Sequence, residues 1–205
     1  TKNILFDKLN FGLPTEAAGR NNIVIMGKTG SGKSSLFRVL SGLWNEGEGQ
    51  VEMPPQDHVF FLPQKPYLIN GSLRDQFCYP YPKNTYSDQQ LQAVIQQVKL
   101  SEMISRYGSL DSVENWRNSL SLGEQQRIAL ARVMLAKPGY LFLDEATSAL
   151  DPVTEDLIYQ QLVSLNINII TIAHNKTVMK YHHYLLTLHS RGDWRINVIP
   201  SGAEI

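Results

Sequence analysis

The sequence predicts an α/β fold, a mostly parallel sheet with flanking helices, interrupted by an inserted helical subdomain. Three observations carry this. Short apolar runs recur at Ile23-Val24-Ile25-Met26, at residues 59–62 and at residues 140–143, and residues 167–172 read as a further strand. A continuous apolar run suits a strand buried on both faces of a parallel sheet. The first run ends in a glycine-rich loop and passes straight into a helical pattern. Residues 72–136, by contrast, give strong helices and no convincing strand.

Taken in order, residues 4–11 alternate loosely and read as a strand. Residues 34–43 read as a helix with Leu36, Phe37, Val39 and Leu40 available to pack. Ser87 and Gln90 form a capping box that opens a helix with Leu91, Val94, Ile95 and Val98 on one face. A longer helix runs from Leu122 to Ala136 and stops before Pro138. Asp151 and Pro152 open another, as N-cap and first helical residue. Residues 184–188 and 194–199 read as a closing pair of strands. The expected organisation is one domain over residues 1–205. Its core is 1–71 and 137–205, and its helical subdomain is about 72–136.

The 205 residues suit one domain, and 42% of them are apolar, enough to fill a core. Nineteen basic and nineteen acidic side chains cancel. With no net field and no basic run, nucleic acid is not an expected partner. The single cysteine, Cys78, excludes an internal disulfide and reads as a small apolar residue. No run approaches the roughly 18 apolar residues that cross a bilayer. Thr1-Lys2-Asn3-Ile4 does not read as a signal peptide. The expectation is a domain excised from a larger protein, soluble and intracellular in character.

Residues 27–34, Gly27-Lys28-Thr29-Gly30-Ser31-Gly32-Lys33-Ser34, fill the pattern G-x-x-x-x-G-K-[ST] between a strand and a helix, and Ser35 follows. Glycines let the backbone curl and approach an anion closely. The loop N–H groups and the helix N-terminus then face phosphates. Lys33 would reach the β- and γ-phosphates, and Ser34 would hold Mg²⁺. A P-loop NTPase core is therefore expected, with Gly27, Lys28, Thr29, Gly30, Ser31, Gly32, Lys33, Ser34 and Ser35 binding the nucleotide. Asp144 and Glu145 end the strand at 140–143, where ligands of open α/β sheets sit. Asp144 is placed to bind Mg²⁺, and Glu145 to act as general base on water.

Leu120-Ser121-Leu122-Gly123-Glu124-Gln125-Gln126-Arg127 resembles the signature of ABC ATPases. Around it, in family order, stand Gln64 in a Q-loop-like segment, Ser148-Ala149-Leu150-Asp151 as D-loop, and His174 as switch histidine. The resemblance covers about residues 4–190. It implies ATP and Mg²⁺ as cofactors. It also implies that Gln64 contacts the metal or the attacking water, and that His174 senses the γ-phosphate. Ser121 and Gly123 would serve the nucleotide of a second ABC ATPase domain, in a head-to-tail homodimer bound to a transmembrane domain at the cytoplasmic face. Asp151 would communicate between the two sites, and it also reads as a helix cap. The implied function is ATP hydrolysis driving transmembrane transport. The alternative is a soluble, non-transport ABC ATPase.

Ser41-Gly42-Leu43-Trp44, residues 60–67, Gly71 to Gln76 and Trp116 narrow the likeness to subfamily D, the peroxisomal and lysosomal half-transporters, and bacterial relatives. Leu122 departs from the signature's glycine and must point away from the phosphate. Glu124 stands in place of glutamine. The family's adenine-stacking aromatic lies upstream of residues 4–11 and is expected before Thr1. Phe6 or Phe11 is the alternative but is not assigned that role, so weak nucleotide affinity is expected of this chain. His58, His182, His183 and His189 match no motif and are expected to be surface or core residues.

Overall fold

In a computed structural model, the described residues are 9–10, 12, 22–44, 48–52, 55, 58–189 and 193–200. Phe6, Phe11 and most of the strand expected over 4–11 lie outside them. The chain divides into two compact units. The first comprises residues 1–61, 138–145 and 166–205, and the second residues 62–137 and 146–165.

The strands are β1 (Ile23–Gly27), β2 (Val59–Leu62), β3 (Tyr140–Asp144), β4 (Asn168–Ile172), β5 (Tyr184–Leu188) and β6 (Trp194–Val198). They form one sheet in the order β2-β3-β4-β1-β5-β6. β1 runs parallel to β4 and to β5, and β3 parallel to β4. β6 returns antiparallel to β5 as the closing pair. Every residue of β4 is buried: Ile169, Ile170 and Ile172 as apolar side chains, and Asn168 and Thr171 with hydrogen-bond partners in the Gly139 carbonyl and the His182 ring. Edge strand β2 is only half-buried over Val59, Phe60 and Phe61, because among the described residues one side of it has no neighbouring strand. The first unit's core joins Ile23, Ile25, Phe142, Ile170 and Leu186 to Leu36 and Phe37 of helix α1 (Lys33–Leu40).

α1 ends at Leu40, three residues before the expected end. Gly42, at φ 71°, turns the chain out of the helix, and its N–H donates to the Val39 carbonyl at 3.0 Å. Only a residue that tolerates left-handed backbone closes a helix this way.

The second unit carries α2 (Leu73–Cys78), α3 (Asp88–Gln97), α4 (Glu102–Tyr107), α5 (Trp116–Ser119), α6 (Leu122–Ala136) and α7 (Pro152–Ser164). α6 has the expected bounds, α3 starts where expected after Ser87 and ends at Gln97 with Val98 as its C-cap, and both have complete capping boxes. Asp151 caps α7, accepting from the N–H groups of Val153 and Thr154 at 3.1 and 3.0 Å. Cys78 is buried and its thiol donates to the Lys83 carbonyl. Trp116 is buried, and its indole N–H donates to the Gly71 carbonyl at 2.8 Å. No helix among the described residues is long and apolar enough to cross a membrane.

Candidate nucleotide site

The glycine-rich loop leaves β1 and enters α1 within the first unit. Two glycines are required for different reasons. A Cβ on Gly27 would lie 2.5 Å from the Leu188 carbonyl oxygen, so no side chain fits. Gly30 has open space but φ 81°, which L side chains rarely adopt. Gly32, the residue before α1, is also left-handed, and no side chain caps the helix. The first N–H groups of α1 therefore have no side-chain acceptor from the cap position, and this is the end of the helix that favours an anion.

Two polar groups fit the same reading. Ser31 Oγ is buried without a hydrogen-bond partner, and such a group is costly unless a partner is supplied. The buried Lys33 amine donates to the carbonyls of Gly27 and Lys28 at 2.9 and 3.2 Å. It is thus held against the loop that it would serve.

Asp144 closes β3, in register with Ile172 of β4. Glu145 follows, and its N–H donates to the Ile172 carbonyl at 3.0 Å. Glu145 then turns at φ 51°, a backbone region that costs on the order of 1 kcal/mol or more and clusters at functional sites. Its Oε1 lies 2.7 Å from His174 Nε2, and His174 itself is half-exposed. Burial pushes the Asp144 carboxyl above its usual range, and the neighbouring Glu145 charge adds to this. Arg38, Lys33 and His174 act the other way. A cation beside Asp144 would relieve that destabilised charge. Ser34 and Asp144 supply the hard oxygen ligands that Mg²⁺ prefers, so the residues present fit the metal.

The second unit holds Gln64, the signature segment and the D-loop. Gln64 is exposed. Ser121 is the N-cap of α6, and a Cβ on Gly123 would come within 3.0 Å of the Ala149 carbonyl. Leu122 lines a cavity of about 430 Å³ with Gln64, Lys65, Arg117 and Gln125. Gln126, fully buried, joins three motif segments. Its amide donates to the Gln64 carbonyl at 3.0 Å and to Ser148 Oγ at 3.4 Å, and its carbonyl accepts from the Ala149 N–H at 3.0 Å. Sequence reasoning assigned it no role, since only the fold brings those loops together.

Comparison with known proteins gives the same answer. The family model described as ABC transporter matches residues 11–148. The chain belongs to the ABC transporter family. An uncharacterised ABC transporter ATP-binding protein of Synechocystis is 45% identical over 91% of this chain and 28% of its own length. The human ATP-binding cassette sub-family D member 3 is 38% identical over 96% of this chain and 30% of its own length. The subfamily D likeness read from the sequence thus recurs among its relatives. A bacterial Atm1-family ABC exporter solved with ATP bound matches with a TM-score of 0.73 and 26% identity, over 84% of this chain and 32% of that one. The chain spans less than a third of the length of these relatives. It is an ABC-type ATPase domain with a P-loop α/β core.

Proposed function

We propose that this domain hydrolyses ATP to drive transmembrane transport, as one of two identical domains associated head to tail. The Glu145–His174 pair at 2.7 Å, beside Asp144 and in the same unit as the uncapped phosphate loop, carries this reading. Gly27 to Ser35 cradle the phosphates, with Lys33 moving from the loop carbonyls to the β- and γ-phosphate oxygens. Ser34, Asp144 and Gln64 would hold Mg²⁺, which would supply neutralisation of charge on the phosphates. Glu145 takes the proton from the attacking water. His174 holds Glu145 in place and reads the state of the γ-phosphate.

Ser121 and Gly123 of each copy complete the site of the other. Closed two-fold assembly is the commonest arrangement of identical subunits. Residues 1–205 act as one ATPase domain with the helical subdomain inserted. Through a transmembrane domain it works at the cytoplasmic face of a membrane.

Hydrolysis by Glu145→Gln and His174→Ala tests the chemistry. Loss of the base lowers the rate by about 10²–10⁴ while ATP binding is retained. A Glu145→Gln protein that turns over at the wild-type rate would remove Glu145 from the mechanism.

A further inference from the structure

The N-terminus of α6 is occupied by the chain itself. Glu124 Oε2 accepts from the Ser121 N–H at 2.8 Å and from the Ser121 hydroxyl at 3.0 Å. Ser121 Oγ in turn accepts from the Glu124 N–H at 3.3 Å. The hydroxyl proton that a phosphate would receive is thus already given to a carboxylate. That carboxylate also stands at the helix end that a phosphate would approach, and like charges at short range repel.

Arg106, in the last turn of α4, donates through Nη2 to the other carboxylate oxygen, Oε1. Burial raises the Glu124 pKa, but the Arg106 bond and the two Ser121 donors outweigh it, and the net direction is downward. Glu124 therefore stays ionised at neutral pH and needs a counter-charge. Arg127 shares a cavity of about 430 Å³ with Lys99, Arg106 and Glu124. It acts on Glu124 through space, and no direct Arg127–Glu124 bond accompanies the Arg106 one. Arg106 is half-exposed, so its ion pair adds little to folding stability.

We propose that Arg106 is a positioning residue for the signature: it neutralises Glu124 from the side away from Ser121 and holds the carboxylate once Ser121 lets go, so that Ser121 and the α6 N-terminus can receive the γ-phosphate held by a second copy. When the phosphate arrives, the Ser121 hydroxyl turns from Glu124 Oε2 to a phosphate oxygen, and Arg106 keeps the released carboxylate paired. The inference rests on the head-to-tail reading above.

Steady-state ATP hydrolysis by the purified protein tests it. Arg106→Ala should raise the ATP concentration for half-maximal rate about tenfold, the size of a close charge contact, with a smaller fall in kcat. Arg106→Lys, which keeps the charge, should stay within about threefold of wild type. Removing the offending charge should rescue the loss, so Arg106→Ala with Glu124→Gln returns most of it. A purely structural Arg106 would lower kcat at constant KM, and the double variant would remain as impaired as the single one. Either result overturns the proposal, as does an Arg106→Ala protein indistinguishable from wild type. Ser121→Ala in the same assay separates the two levels. If it hydrolyses at full rate, the head-to-tail reading itself falls. If it is slow while the double variant is not rescued, only the role of Arg106 falls.

Discussion

Two helices of this domain begin at residues assigned to phosphate, and they begin differently. α1 starts from Gly32, with no side-chain cap and no acid in its first turn. α6 starts from Ser121 with a complete capping box, an acid in its first turn and an arginine bound to that acid. Both carry the same partial positive charge at this end. One leaves it open beside a buried, unpartnered serine hydroxyl; the other has satisfied it internally. An open end serves an anion at any time. A self-capped end serves one only when the anion outcompetes its own carboxylate, which suits a contact made and broken in each cycle.

The largest break of this comparison is Lys33→Ala at the open end. Loss of a charged partner from a desolvated phosphate contact costs about 3 kcal/mol, or roughly a hundredfold in ATP affinity, measured by calorimetric titration. Next is Ser35→Glu, which gives α1 the first-turn acid that α6 has. Its affinity for ATP should fall about tenfold while thermal stability holds or rises, because an acid favours the helix N-terminus by about 0.3–1 kcal/mol. Unchanged affinity would mean that the openness of α1 is irrelevant.

Ser121→Ala removes the cap of α6 and should cost about 1 kcal/mol, a fall of about 2–4 °C in the unfolding midpoint for a chain of this size. The smallest effect is the acid limb of α6. Glu124 has a depressed pKa in the folded state. Its stabilisation is therefore full above the unfolded carboxyl value and is lost as pH falls through the folded one. His182 must be removed first to see it. Burial pushes that imidazole down to about 4, so its contribution is full above the unfolded value of 6.5 and fades as pH drops towards 4. In a His182→Asn background, Glu124→Gln should flatten the remaining slope of stability against pH below about 4.5.

Much of this was legible in the sequence because local signals and tertiary demands agree. The β-branched run before Gly27, the capping boxes of α3 and α6, and Asp151-Pro152 each specify an element with the start observed, and for α6 the end before Pro138 as well. The order of Gly27 to Ser34, Gln64, Ser121 to Arg127, Asp144, Glu145 and His174 placed the family. The short helices α2, α4 and α5 were not legible, since four to six residues give no periodicity. The Ser72–Asp75 capping box of α2 was the one local cue available. His182 looked like any unassigned histidine. Its burial, with ring nitrogens 2.8 Å from the Val178 carbonyl oxygen and from Thr171 Oγ1, depends on the folded chain. Arg106 reaches Glu124 across 18 positions, and no spacing rule predicts that.

The central claim is that ATP joins two copies through the Lys33 loop of one and the Ser121 end of the other. The most direct test is the solution mass of Glu145→Gln with and without Mg-ATP, with ATP binding titrated on the same sample. The account predicts a shift from monomer to dimer on adding ATP, with hydrolysis slowed by about 10²–10⁴. A protein loaded with ATP that remains monomeric would contradict it.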